Sequence, residues 1–342
     1  MMNDEFLILN YGNFRFAEIT TIHNLKLRIQ NSIWLIISIY LSMSQMVFAD
    51  QQGGQRPAAY LELGAGGAQQ AMGGAAVADR NDVACGFWNP AGLSALKGFQ
   101  TEYQYTFLSL GQYLNFFSVA NAFRDKFFYG FSAFFYSAGY DLEARTSPTL
   151  TPDSLFGDTE ITFLTSLAFR LSPRWSIGGN LKLFVQAISA TSTSGVGFGE
   201  DLGIQYRVTK DTTLGFMAQD IFSTMDVNSV SQLFPITLKA GIAHHEVQWQ
   251  AKGNFDLEWS ADLGFRPRLG IEWRPAEVIA LRGGSWIGNL TTGGSPAAYF
   301  TAGIGILIPM DGNLLEFDYS ILQDRIVPGA FLHQISLTGK FL

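Results

Sequence analysis

Asp256 and Glu258 stand two residues apart, so on an extended chain their carboxylates share one face. A carboxylate pair is the minimal equipment for general acid and base work, with one member holding a proton that the other has lost. Lys252 falls on the same face, and Arg268, Glu272 and Arg274 recur at even spacing on the next stretch of chain. A salt-bridged interior accounts for all six charges. His244, His245 and His333 have no readable Ser or carboxylate constellation, and the first two fall at a strand end, where solvent reaches them. Gly283-Gly284 and Gly293-Gly294 lack the Lys-Ser/Thr that completes a phosphate loop. Cys85 is the single cysteine, which excludes an internal disulfide and a multi-cysteine metal site, and it reads as a small buried residue. An enzyme is not expected from this inventory, nor are a cofactor or a metal. A net charge of −7 argues against nucleic acid, which favours a basic stripe.

The elements that would position these charges have a period of two. Charged residues make up only 15% of the 342, against roughly 25% in an average soluble chain. Hydrophobic residues reach 47%, but beyond the N-terminal region they sit at alternate positions. Trp249, Ala251, Gly253, Phe255, Leu257 and Trp259 share one face, opposite Gln250, Lys252, Asn254, Asp256 and Glu258. The aromatic ends of that apolar face suit the two interfacial girdles of a membrane strand. Comparable runs predict strands near 99–108, 113–123, 127–138, 159–170, 175–188, 198–208, 212–221, 234–245, 248–259, 265–274, 277–287, 298–308, 313–322 and 331–341, fourteen in all.

The connections also alternate. Short turns at 124–126, 171–174, 209–211, 246–247, 275–276 and 309–312 separate longer links at 139–158, 189–197, 222–233, 260–264, 288–297 and 323–330. In lipid every backbone polar group must be paired within the protein, so a sheet spans only as a closed barrel. The expected fold is therefore all-β, a fourteen-stranded antiparallel transmembrane β-barrel. A soluble sandwich or lipocalin-like barrel alternates too, and alternation alone does not say which face is wet.

Lys26 and Arg28 precede an apolar core, Ile33 to Met43, and then Val47-Phe48-Ala49. That order predicts a secretory signal peptide cleaved after Ala49, with an inner-membrane anchor as the rival. Export to a bacterial outer membrane follows, with both termini of the mature chain periplasmic if the strand count is even. Asn289-Leu-Thr291 fits a glycosylation pattern that carries little meaning in such a barrel.

Between the signal peptide and the first strand lies a Gly/Ala-rich stretch. It runs through Tyr60-Leu-Glu-Leu-Gly-Ala-Gly66, Ala71-Met-Gly-Gly-Ala-Ala-Val-Ala78 and Phe87-Trp-Asn-Pro-Ala-Gly-Leu93. This order resembles the N-terminal signature of the PorV/PorQ family, relatives of the FadL long-chain fatty acid transporters. Asn89-Pro90-Ala91 after Met-Gly-Gly-Ala is its most specific part. Arg268-Leu-Gly-Ile-Glu-Trp273, Ala280-Leu-Arg-Gly-Gly284, Phe300-Thr-Ala-Gly-Ile-Gly305 and Leu315-Glu-Phe-Asp-Tyr319 are similar to that family's late strands.

The resemblance implies a fourteen-stranded barrel whose N-terminal segment folds into the lumen as a hatch, with Met72, Gly73, Gly74, Ala75, Asn89, Pro90, Ala91 and Gly92 as its motif. Residues 1–49 would be extension and signal peptide, 50–97 hatch, and 98–342 barrel. Gly and Ala permit close approach to strand backbones, and Pro90 holds Asn89 extended. A solvated linker is the alternative, but Phe87, Trp88 and Leu93 call for burial.

Two functions follow from the resemblance. As a PorV/PorQ protein the chain would receive secreted proteins in type IX-like secretion, through loop residues such as Leu155, Phe156, Phe222 and Phe234. As a FadL-like transporter it would pass hydrophobic compounds such as fatty acids or hydrocarbons, with Phe128, Phe134, Phe184 and Met217 on the lumenal path or packed against the hatch. The expected partners are outer-membrane lipid and either secretion components or hydrophobic small molecules. A purely structural role is a third reading.

Overall fold

The computed structural model describes residues 57–341 except 140–141, 145–150, 152, 190–192, 229, 289–296, 326 and 328. The expected signal peptide, its cleavage after Ala49 and the Asn289-Leu-Thr291 pattern lie outside the described residues.

Fourteen antiparallel strands close into a barrel: β1 Phe99–Phe107, β2 Tyr113–Arg124, β3 Phe127–Ser137, β4 Asp158–Arg170, β5 Trp175–Ile188, β6 Thr193–Arg207, β7 Thr212–Gln219, β8 Thr237–Glu246, β9 Ala251–Ser260, β10 Gly264–Ala276, β11 Ile279–Gly288, β12 Ala297–Met310, β13 Asn313–Gln323 and β14 Phe331–Phe341. Each pairs with its neighbours in the chain, and β14 returns to β1 in a register running from Phe99↔Phe341 to Phe107↔His333. Closure leaves the barrel wall no free edge, as a hydrocarbon surround requires.

The faces decide between lipid and water. Along β1, Phe99, Tyr103 and Phe107 are 39–49% exposed, while Gln100, Glu102, Gln104 and Thr106 are at most 3% exposed. β10 repeats this: Leu269, Ile271 and Trp273 point out, and Arg268 and Glu272 point in. A soluble barrel hides its apolar face, whereas this one shows it all round and buries its charges. The protein is a transmembrane barrel.

Some boundaries differ from the periodicity. Trp249 lies in the turn Val247–Gln250, where Gln250 has φ 47°, so it is no girdle residue of β9. β10 continues through Pro275 and Ala276, and the turn falls at Glu277–Val278. The link after Ser260 is only three residues, because Gly264 (φ 65°) turns the chain at once into register with Ser260. Two long links contain their own hairpins, Leu142–Ala144 with Ser154–Phe156 and Thr224–Val227 with Val230–Leu233; the second extends β6 beyond the end of β7.

Residues from Pro57 to Leu96 fill the lumen as short helical turns: Ala59–Leu63, Gly67–Ala71, Cys85–Trp88 and Pro90–Ala95. Gly67–Ala71 packs on β11–β14, while Pro90–Ala95 packs on β3–β6. The core lies between this segment and the wall. Leu61, Phe87 and Trp88 meet Phe116, Phe134 and Phe184 in one cluster, and Val83, Cys85, Leu93 and Leu96 meet Phe128 in another.

Candidate functional site

Each end of the lumenal segment is tied to a different wall. Asn89 is extended (φ −167°, ψ 103°) as its place before Pro90 requires, and Pro90 opens the next helical turn. The Asn89 Oδ1 accepts from the Ala91 N–H at 3.2 Å. Its Nδ2 donates to the Val77 carbonyl at 2.9 Å and lies 3.3 Å from the carbonyls of Ile204 on β6 and Phe216 on β7. Ala91 and Gly92 are buried beside it.

At the other end, the Gly73 N–H donates to Thr301 Oγ1 at 2.9 Å and its carbonyl accepts from Arg268 Nη1 at 3.0 Å. Gly73 and Gly74 both have φ +69°, a left-handed pair that glycine adopts without strain. A Cβ on Gly284 of β11 would collide with the Met72–Gly73 peptide. Ala75 gives its carbonyl to Asn254 Nδ2 at 2.6 Å.

The six sequence-predicted charges do come to the interior, with different partners. Asp256 and Glu258 do not pair with each other. Asp256 Oδ2 accepts from the Val77 N–H at 2.9 Å, and Glu258 is held by Arg266 and, at 3.1 Å, by Arg268. Lys252 reaches Asp79 of the plug at 2.7 Å. Glu272 binds Arg274 at 2.9 Å and Arg282 at 2.6 Å, and Arg274 sits partly exposed at the mouth. Burial pushes the Asp79 carboxyl up, against the pull of the Lys252 ammonium, and burial pushes the Cys85 thiol well up.

The larger network was missed. Arg282 bonds Glu272, Glu316 and Asp318 at once, and Lys182 bonds Asp201 and Asp220. The signal was present, since Glu316 and Asp318 alternate with Leu315, Phe317 and Tyr319. No cluster of three or more His, Cys, Asp or Glu with metal-binding proximity occurs among the described residues.

Phe128, Phe134, Phe184 and Met217 are all buried and inward-facing. Phe134 lies 5.2 Å from Phe87 of the plug, Phe184 stacks on Phe234 at 4.5 Å, and Phe128 sits 5.0 Å beneath Arg170. They pack, and none lines the two large cavities. Phe234 is 7% exposed and so is no loop contact, unlike Leu155 (55%) and Phe222 (77%).

Those cavities lie on opposite sides of the plug. The loop-side cavity holds about 580 Å³ and is lined by Tyr60, Leu63, Leu108, Tyr136, Trp286 and Tyr299, with charged groups between them. The turn-side cavity holds about 1050 Å³ and is bordered by Ala78 to Asp82. Gln69 and Met72 face the turn side, whereas Gln70 and Gly73 face the loop side. At Gly67–Ala71 the partition is therefore one helical turn thick.

Fold and site define a transmembrane β-barrel with a lumenal plug. No protein-family model matches the chain, and no curated protein matches it. Solved structures do. CymD, a monoaromatic hydrocarbon channel, is 16% identical at TM-score 0.60, covering 81% of this chain and 96% of its own. The Pseudomonas putida toluene transporter TodX is 14% identical at TM-score 0.57, with coverage of 81% and 96%. A Pseudomonas aeruginosa FadL homologue is 12% identical at 0.56, with 81% and 97% covered. At such identities the likeness is one of fold, and the fold is the FadL-like barrel. None of the three carries the PorV/PorQ or secretion description that the sequence motifs suggested.

Proposed function

We propose that this protein is a passive outer-membrane channel for hydrophobic compounds, gated by its N-terminal plug, with the turn side and both chain termini facing the periplasm. One observation carries the reading: consecutive plug residues, Met72 and Gly73, line opposite cavities, and the loop-side cavity presents aromatic rings from both plug and wall. The aromatic rings of that cavity give a small apolar solute surface to pack on between the charged groups of its lining, and a partition one turn thick needs only a local rearrangement to open. Residues 57–97 are the gate in this reading, and the Asn89 and Gly73 contacts are its latches. The hydrocarbon channels and transporter of similar fold support it as analogues.

The test is uptake of a monoaromatic hydrocarbon and of a long-chain fatty acid into proteoliposomes carrying the purified barrel. Uptake above that of empty liposomes for either solute is expected. Rates equal to empty liposomes for both would sink the reading. The type IX-like secretion role rests on the sequence motif; co-purification of secreted proteins sharing a C-terminal domain would restore it.

A further inference from the structure

The turn-side cavity has the wrong sign for this chain. The protein carries a net −7, yet ten Lys and Arg line that cavity against six Asp and Glu. Five of the six carboxylates have cationic partners: Asp79 with Lys252, Asp82 with Lys340, Glu272 with Arg274, Glu316 with Arg282, and Asp211 with Lys210. The sixth, Asp125, is exposed in its turn.

Three arginines in the cavity have no carboxylate partner among the described residues: Arg80, Arg170 and Arg207. Arg170 and Arg207 end β4 and β6 and point inward, two strands apart across β5. Arg80 comes from the plug between them. Its neighbour Asp79 is fastened to β6 by Gln205 at 2.8 Å, and the plug's Ser94 carbonyl is fastened to β4 by Arg170 Nε at 3.0 Å. Arg80 Nε is buried and donates to no protein acceptor. Burial, and then the charges of Arg207 and Arg170, hold the Arg80 guanidinium below its ordinary value. Three guanidiniums lining one cavity without a carboxylate, one of them with an unused buried donor, are costly unless an anion joins them.

The geometry points to an oxyanion site at Arg80, Arg170 and Arg207, taking a carboxylate or phosphate group that enters the turn-side cavity. Guanidiniums suit such groups because their planar N–H forks match two oxygens. The oxyanion is either a free ion or the headgroup of an amphipathic acid. The site does not depend on the channel reading.

Calorimetric titration of the full-length barrel in detergent, at constant ionic strength, tests it with inorganic phosphate, acetate and octanoate as probes. Binding of at least one probe is expected, with Arg80→Gln/Arg207→Gln at least about tenfold weaker. Binding of phosphate and octanoate alike identifies the free oxyanion; binding of octanoate alone identifies the amphiphile headgroup. Lys210→Gln, on the rim, serves as the control for diffuse charge, and heat-modifiable gel migration shows that each variant folds. No heat with any probe, equal affinity in the double variant, or an equal loss in Lys210→Gln overturns the site. Hydrocarbon uptake by the same preparation is scored separately, so anion binding without uptake defeats the channel reading and leaves the triad standing.

Discussion

The Asn89 carboxamide of the plug rests on the bare backbone of Gly203 in β6: a Cβ there would overlap Asn89 Oδ1. The wall is bare at the point where Asn89 bonds both plug and wall. Gly203→Ala is expected to displace Asn89 and cost about 1–3 kcal/mol, the usual penalty for overfilling a packed site. Thermal unfolding of the barrel measures the loss, and protease cutting near residue 89 reports whether the plug has lifted. A variant that melts like the parent and stays protected would show that the contact is slack.

Asn89 itself satisfies both its own plug and two wall carbonyls. Asn89→Asp keeps the shape and removes the donor, leaving a carboxylate among carbonyl oxygens. It should destabilise the plug more than Asn89→Ala, by about 1–3 kcal/mol or beyond. Hydrogen exchange at Val77 to Ala91 distinguishes the two.

Arg282 bonds Glu272, Glu316 and Asp318 at once, and it is 5% exposed. Arg282→Met would take the guanidinium from Asp318 and leave three buried carboxylates short of a shared cation, at a cost of about 3–5 kcal/mol. The gel migration of the folded form should convert to the unfolded form at a clearly lower temperature. Arg274→Met, at the mouth, should change it little.

Cys85 offers a reporter on the plug. It is 1% exposed, with Sγ 3.4 Å from the Asp79 carbonyl, and its thiol is pushed well above the ordinary value. A free thiol near about 8.5 reacts readily once deprotonated. Cys85 should therefore resist maleimide in the folded barrel even at about pH 9, and label fully in denaturant. Labelling in the folded state that speeds up when solute is added would measure plug movement directly.

Trp286 stacks on Tyr299 at 4.2 Å and carries Arg325 on its ring at 4.9 Å, at the wall of the loop-side cavity. If this cavity receives the solute, Trp286→Ala should lower hydrocarbon uptake several-fold while the barrel still folds, since the ring leaves no buried charge behind. Unchanged uptake would move the entry path elsewhere.

Much of this was readable from residue order. Period-two alternation placed all fourteen strands, because a side chain's face in a strand depends only on its parity. Small residues around Phe87, Trp88 and Leu93 marked the plug, because a segment with little bulk and a few large anchors fits between walls but not in water. The same parity sets Lys252, Asp256 and Glu258 on one face of their strand and Arg268, Glu272 and Arg274 on one face of the next.

What parity leaves open is which face is inside. The pattern is unchanged when the sheet is turned over, and only closure around the plug put Gln104 inside and Tyr103 outside. Pairing was equally hidden: Asp256 and Glu258 share a face yet serve a plug amide and two guanidiniums, choices set by where residues 75–77 cross the lumen. Phe128, Phe134 and Phe184 read alike as path or packing from residue order, and only the folded plug, which packs in one cluster or the other with each of them, separates the two. Arg80, Arg170 and Arg207 carry no shared motif. They line one cavity because a closed barrel brings the ends of alternate strands to one rim and the plug adds a third charge there.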